Sequence, residues 1–314
     1  MGRKVVQMGK RPDLSSPVVV GVSTTALFDL SESHRIFESQ GVAAYRRHQR
    51  ERETKILKAG TAFPLIRAML NWNRILGPGQ VEVVIISHNA PDTAFRVVNS
   101  LKAHKLHIEG GAFTAGRPTA PYLPAFNVSL FLSTNEDDVR RALKNGVPAG
   151  LVYARPARVD VPLKEVRFAF DGDAVVFSDQ SERIFQRYGL AAFRRHEREN
   201  ARNPLPMGPF ARFLRLLAAL QERFDPESCP IRTALVTTRG GEGLERVLRS
   251  LRTHGLRVDE SYFMSGRPKE TVLEEFRPHI FFDDAPETCR RTAGVVPTAH
   301  VVHGVRNRKK GSRR

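Results

Sequence analysis

One segment of this chain is written twice. His34 to Glu53 reads HRIFESQGVAAYRRHQRERE and Glu182 to Ala201 reads ERIFQRYGLAAFRRHERENA, with 11 of 20 positions identical at an offset of 148. Later, Phe95-Arg96-Val97-Val98-Asn99-Ser100-Leu101 answers Glu245-Arg246-Val247-Leu248-Arg249-Ser250-Leu251, and Gly116-Arg117-Pro118 answers Gly266-Arg267-Pro268, both at an offset of 150. A repeat of that length is the size of one ordinary domain, so the 314 residues are expected to form two units of one architecture. Each unit alternates apolar strand patterns with helical ones. That pattern predicts an α/β fold of two tandem, Rossmann-like, doubly wound parallel sheets.

In the second unit the strands are expected near 165–171, 231–237, 260–264, 278–283 and 298–302. Between the first two lies an insertion, Phe177 to Pro230, rich in helix formers. Its stretch Phe210 to Leu220 is amphipathic to apolar and must pack on something. The expected organisation is a basic arm over 1–16, a first unit over 17–155, a second over 156–305 and a basic, disordered tail over 306–314. The linker is expected at Ala154-Arg155-Pro156-Ala157-Arg158-Val159-Asp160-Val161-Pro162, which carries two prolines and no helical period.

The second unit also places charged groups where α/β proteins keep their chemistry, at the C-terminal ends of strands. Phe168-Ala169-Phe170-Asp171-Gly172-Asp173 delivers two carboxylates around a glycine that permits a sharp turn. Thr233 to Thr238 is a second apolar strand ending in hydroxyls. Ser265-Gly266-Arg267-Pro268-Lys269 sets a lysine before a helix, and Pro278 to Asp284 is a third strand ending in paired carboxylates. Each has an ordinary reading: Asp-Gly-Asp as a plain turn, Lys269 as a solvated surface lysine, Asp283-Asp284 as a helix cap. The order Asp-x-Asp, Thr, Lys, Asp-Asp at successive strand ends argues for one site instead.

This constellation resembles the haloacid dehalogenase (HAD) superfamily of phosphotransferases. More closely, AFDGDAVVFSDQSERIF, CPIRTALVTTR and RPHIFFDD resemble the cytosolic 5′-nucleotidase I family over residues 17 to 305. The resemblance implies a magnesium-dependent hydrolase of nucleoside 5′-monophosphates working through an aspartyl-phosphate. It implies that Asp171 is the nucleophile and a metal ligand, and that Asp173 lends its backbone carbonyl to the metal and its side chain as acid, then base. Asp283 and Asp284 would complete the Mg2+ shell. Thr237 and the N–H of Thr238 would hold phosphoryl oxygens, and Lys269 would neutralise charge and hold Asp171 ionised. The insertion near 178–230 would be a helical cap.

Projected onto the first unit, Asp171 falls on Ser23, Asp173 on Thr25, Thr237 on Ser87, Lys269 on Thr119, and Asp283-Asp284 on Ser133-Thr134. Every carboxylate and the lysine are gone, so the first unit reads as the fold without the chemistry, retained for packing, assembly or closure of the pocket.

Composition narrows the remaining classes. Hydrophobic residues make up 41%, too many for a disordered chain, and no apolar run is long enough to cross a membrane. Two cysteines, Cys229 and Cys289, make neither a disulfide framework nor a metal site, which reads as a reduced, cytoplasmic protein. The net charge of +17 keeps a second class open, a nucleic-acid-binding protein or polynucleotide end phosphatase using its basic ends. Because the motifs are blind to the leaving group, a phosphatase for sugar phosphates is a third reading. Self-association is compatible with all three.

Overall fold

The computed structural model describes residues 16–153 and 165–308. The linker expected at 154–162 lies wholly outside these residues, as does the N-terminal arm apart from Ser16.

Ten strands build one sheet among the described residues: β1 Val18–Val22, β2 Val81–Ser87, β3 Gly110–Phe113, β4 Val128–Ser133, β5 Ala149–Val152, β6 Val166–Phe170, β7 Ile231–Thr237, β8 Glu260–Phe263, β9 Ile280–Asp283 and β10 Thr298–His300. Their order is β8-β7-β6-β9-β10-β5-β4-β1-β2-β3. Each half therefore has the same internal order, the third strand outermost, then second, first, fourth and fifth. All neighbours are parallel except at the centre, where β10 meets β5 antiparallel through Ala299 opposite Val152 and His300 opposite Leu151. The fold is a mostly parallel α/β sheet. The two expected sheets are joined edge to edge into one.

The strands are apolar on both faces because helices cover both faces. On one face Phe168, Phe170 and Phe282 stack in a row, with ring centroids 6.3 and 5.5 Å apart, and Phe210 and Phe213 press onto it. These last two residues open the helix Ala211–Gln221, so the most apolar part of the insertion packs on the sheet. The other face buries Ala169, Ala234, Val236, Phe281, Leu273 and Phe276. The insertion's other helix, Gln180–Glu199, buries only Ser181 and Glu197.

That helix has a counterpart in the first half, Ser31–Glu51, so the helical segment is common to both halves. Both helices break at the same place in the repeat. Gly189 sits at φ 79, ψ −177 and Gly41 at φ 78, ψ −176. A residue with a Cβ resists that left-handed φ, which explains a glycine in each copy.

Residues 306–308 correct the start of the expected tail, and 309–314 lie outside the described residues. Val305–Asn307 forms a short helical turn and Asn307 is buried. Its side-chain amide donates to the carbonyls of Asp284 and His303, at 2.8 and 2.7 Å, and its own carbonyl accepts from Arg140 of the first half at 2.8 Å. Arg306, at the head of the run expected to be disordered, pairs with Glu182 at 2.7 Å.

Trp72, fully buried in the first half, lays its ring 6.2 Å from Phe168 of the second. Trp72→Ala should cost about 3–5 kcal/mol and lower a single unfolding transition; a variant that unfolds one half while the other keeps its midpoint would show the halves to be independent. His279 closes the start of β9 onto β6 by accepting the Arg167 N–H at Nδ1, 3.1 Å away. Burial, with Arg167 nearby, lowers its pKa from 6.5 to about 4. The unfolded chain then binds the extra proton between those values, so stability is full above pH 6.5 and is lost as pH falls toward 4. Denaturant titrations should show His279→Asn, which keeps an acceptor, removing up to about 3 kcal/mol of that acid dependence; identical slopes for the two proteins would refute it.

Candidate active site

Two strand ends meet at one point. Asp171 follows β6, Asp283 closes β9 and Asp284 follows it. Because β6 and β9 are paired, with Phe170 opposite Phe282, the carboxylates of Asp171 and Asp283 come side by side, and the Asp171 N–H donates to the Phe282 carbonyl at 2.8 Å. Lys269, just before the helix Glu270–Phe276, reaches between them. Its Nζ donates to Asp171 Oδ1 at 2.5 Å and to Asp283 Oδ2 at 2.7 Å, and the lysine is only 3% exposed. It is therefore no surface lysine.

The site is short of positive charge. Burial, with Asp283 and Asp173, outweighs Lys269 and raises the Asp171 carboxyl to about 7. The lysine was expected to hold Asp171 ionised; the lysine is shared with Asp283, and desolvation is the larger effect. Burial alone would lower the Lys269 ammonium, but the Asp171 and Asp283 carboxylates hold it above its usual value. Asp284 is pushed well up by burial and then by Asp171 and Asp283. Its Oδ2 is buried without a hydrogen bond, and Arg306 Nε stands 4.0 Å off. Oxygens of Asp171, Asp283 and Asp284 lie within 4.8 Å of one another. Three converging carboxylates, one of them with an orphaned oxygen, fit a hard divalent cation.

Thr237 ends β7 beside β6, and its hydroxyl accepts the Arg239 N–H at 3.2 Å. Thr238 follows, exposed, its carbonyl accepting the Gly266 N–H at 3.0 Å. Gly172 was expected to make the sharp turn, but the left-handed residue is Ala174, at φ 58. Gly172 serves close approach: a Cβ there would lie 3.2 Å from Thr237 Oγ1.

Asp173 is not in the carboxylate cluster. Both its oxygens accept from Arg239, Nε and Nη2, each at 2.8 Å. The third guanidinium nitrogen donates to Glu197 of the helix Gln180–Glu199. Arg239, Glu197 and Arg306 are therefore part of the site's surroundings that motif reading passed over. Arg239 directly follows the two threonines, and Glu197 sits inside the repeated segment opposite Gln49, so a comparison of the two copies could have found both.

With this geometry in hand, relatives decide the affiliation. Residues 11–308 match the 5′-nucleotidase family. The chain belongs to the 5′-nucleotidase family. It is 33% identical over 284 residues, 87% of its length, to human cytosolic 5′-nucleotidase 1B. The alignment spans 47% of that relative, so the chain covers about half the length of the curated protein it matches. No solved structure matches the chain. The 5′-nucleotidase family match spans both halves of the sheet and includes all seven candidate residues as well as Arg239 and Arg306. No described helix is long and apolar enough to cross a membrane.

The surplus of buried carboxylates has a measurable consequence. Asp284→Asn should raise the melting temperature in EDTA by roughly 2 °C or more, since neutralising one of three crowded acids removes repulsion of about 1 kcal/mol. The same change should shrink the stabilisation produced by millimolar magnesium. Thermal scans of both proteins with and without the ion check this; an unchanged magnesium shift would remove Asp284 from the cation's shell.

Proposed function

We propose that this chain hydrolyses nucleoside 5′-monophosphates to nucleoside and phosphate, with magnesium, through an aspartyl-phosphate on Asp171. The observation that carries the reading is the buried Asp171 at the end of β6, ion-paired to Lys269 and flanked by Asp283 and Asp284. The family affiliation and the name of the human relative support the substrate class.

In this mechanism an Asp171 oxygen attacks phosphorus while the bond to the ester oxygen breaks, and Asp173 gives that oxygen its proton. Water then attacks phosphorus, its proton passes to Asp173, and the bond to Asp171 breaks. Lys269 offsets the charge that gathers on the phosphoryl oxygens, which the Thr237 hydroxyl and the Thr238 N–H orient. The carboxylates of Asp171, Asp283 and Asp284, with the backbone carbonyl of Asp173, would hold magnesium, which when bound supplies the positive charge that lets a carboxylate approach a phosphate dianion.

The same reading takes the first half as a degenerate copy of a duplicated HAD-like unit. Equal strand order and the equal glycine kinks support that origin. Within 178–230, the helix Gln180–Glu199 is the part suited to act as a cap, because it touches the strand-end residue Arg239, while Ala211–Gln221 belongs to the sheet's covering layer. A cytosolic setting is part of the proposal, supported by the name of the human relative.

A phosphate-release screen over nucleoside monophosphates and sugar phosphates, with magnesium or with EDTA, tests the reading. Nucleotides should be the preferred substrates, and Asp171→Asn should lower turnover on the order of a thousandfold or more without unfolding the protein. A preference for sugar phosphates, or an Asp171→Asn variant that keeps more than a small fraction of the activity, would overturn it.

A further inference from the structure

A buried charge relay runs from Asp173 away from the metal-type cluster. Arg239 grips the Asp173 carboxylate through Nε and Nη2, and its Nη1 donates to Glu197 Oε2. Glu197 Oε1 in turn accepts from Ser181 Oγ at 2.7 Å and from Arg246 Nη1 at 2.9 Å. The side chains of Arg239 and Glu197 are 1% and 0% exposed. The Phe193 ring lies 5.5 Å from the guanidinium carbon and closes over it. Desolvating a charged pair this completely is costly, and helix packing alone is served as well by apolar residues. A bidentate guanidinium does what an apolar contact cannot: it fixes the plane of a carboxylate.

The first half supplies the control. Arg246 falls on Arg96, and the two do the same structural work: Arg246 Nε donates to the Asn203 carbonyl and Arg96 Nε to that of Lys55, each at 2.9 Å. Ser181 falls on Ser33. These scaffold residues are kept in both copies. The three that form the relay are all replaced: Asp173 by Thr25, Arg239 by Asn89 and Glu197 by Gln49. Phe193 becomes Tyr45, whose hydroxyl accepts from Gln49 Nε2 at 3.0 Å and donates to Asn89 Oδ1 at 2.8 Å, while Gln49 Oε1 accepts from Arg96 Nη1 at 3.2 Å, so the helix is still pinned at this position, now without a buried ion pair. Helix attachment therefore does not need Glu197 and Arg239 to be ionic. The charges go where the carboxylates of the strand ends go.

We propose that Arg239, anchored by Glu197, is the positioning residue for Asp173, and that through it the helix Gln180–Glu199 sets the orientation of the acid–base carboxylate. This deepens the reading above and rests on it for the role of Asp173. Arg239 itself exchanges no proton and forms no bond to substrate. It holds the carboxylate that gives a proton to the leaving oxygen and takes one back from water.

A double-mutant cycle tests the relay. Glu197→Gln copies the first half and should lower kcat for a nucleoside 5′-monophosphate about tenfold with KM little changed; Arg239→Lys, which keeps the charge and loses the fork, should lower it about a hundredfold. In an Asp173→Asn background neither change should cost more than about threefold further, because the residue through which they act is already disabled. Multiplying losses in that background, or an unaltered kcat in Glu197→Gln, would overturn the proposal. Unfolding midpoints of the same set give a readout independent of turnover: the shift caused by Glu197→Gln should shrink when Asp173 is already Asn. If the wild-type protein releases phosphate from no monoester, the nucleotidase reading fails, and additive midpoint shifts would then refute the relay by themselves.

Discussion

A single buried ammonium shared by two carboxylates organises the rest of this molecule. Lys269 lies 2.5 Å from Asp171 and 2.7 Å from Asp283, with Asp284 beside them and almost no solvent. Charges so placed are unfavourable unless the backbone holds them together more firmly than they repel. The hold comes from the strand pair β6 and β9, locked by hydrogen bonds on its edges and by the stacked rings of Phe168, Phe170 and Phe282 beneath. Apolar packing thus supplies the stability with which the cluster is kept short of positive charge, and the shortage is what suits the cluster to a cation.

The first half serves the second by covering an edge. An open parallel sheet ending at β10 would present unpaired backbone groups and apolar faces to water. The antiparallel seam with β5, the Trp72 contact with Phe168 and the Arg140 bond to Asn307 close that side. A half without these carboxylates can fill this role, since edge pairing needs only backbone and apolar residues.

Around the cluster, arginines do two different jobs. Arg246 and Arg96 tie a helix to backbone carbonyls in their respective halves, a task indifferent to chemistry. Arg239 and Arg306 instead face carboxylates around the site, Asp173 after β6 in one case, Asp284 after β9 and Glu182 of the helix Gln180–Glu199 in the other. These two arginines are matched by acids, so the excess of 17 positive charges resides elsewhere on the chain.

The sequence by itself determined the strand-and-helix alternation, the repeated segments, the residues Asp171, Thr237, Asp283 and Asp284 at strand ends and Lys269 before a helix, because period, apolar runs and motif order are local properties of the chain. It also showed which half lacks the charged groups, since that comparison needs only the offset. Tertiary structure decided what depends on distant partners. The union of two sheets into one rests on a pairing between residues 151–152 and 299–300 that no local pattern announces. The division of the insertion into a sheet-covering helix and a helix over the strand ends depends on which faces meet Phe168 and Arg239. The grip of Arg239 on Asp173, and the packing of Arg306 and Asn307 out of the basic tail, join residues 66 and 23 positions apart. Charge in a sequence looks solvated until the fold removes the solvent.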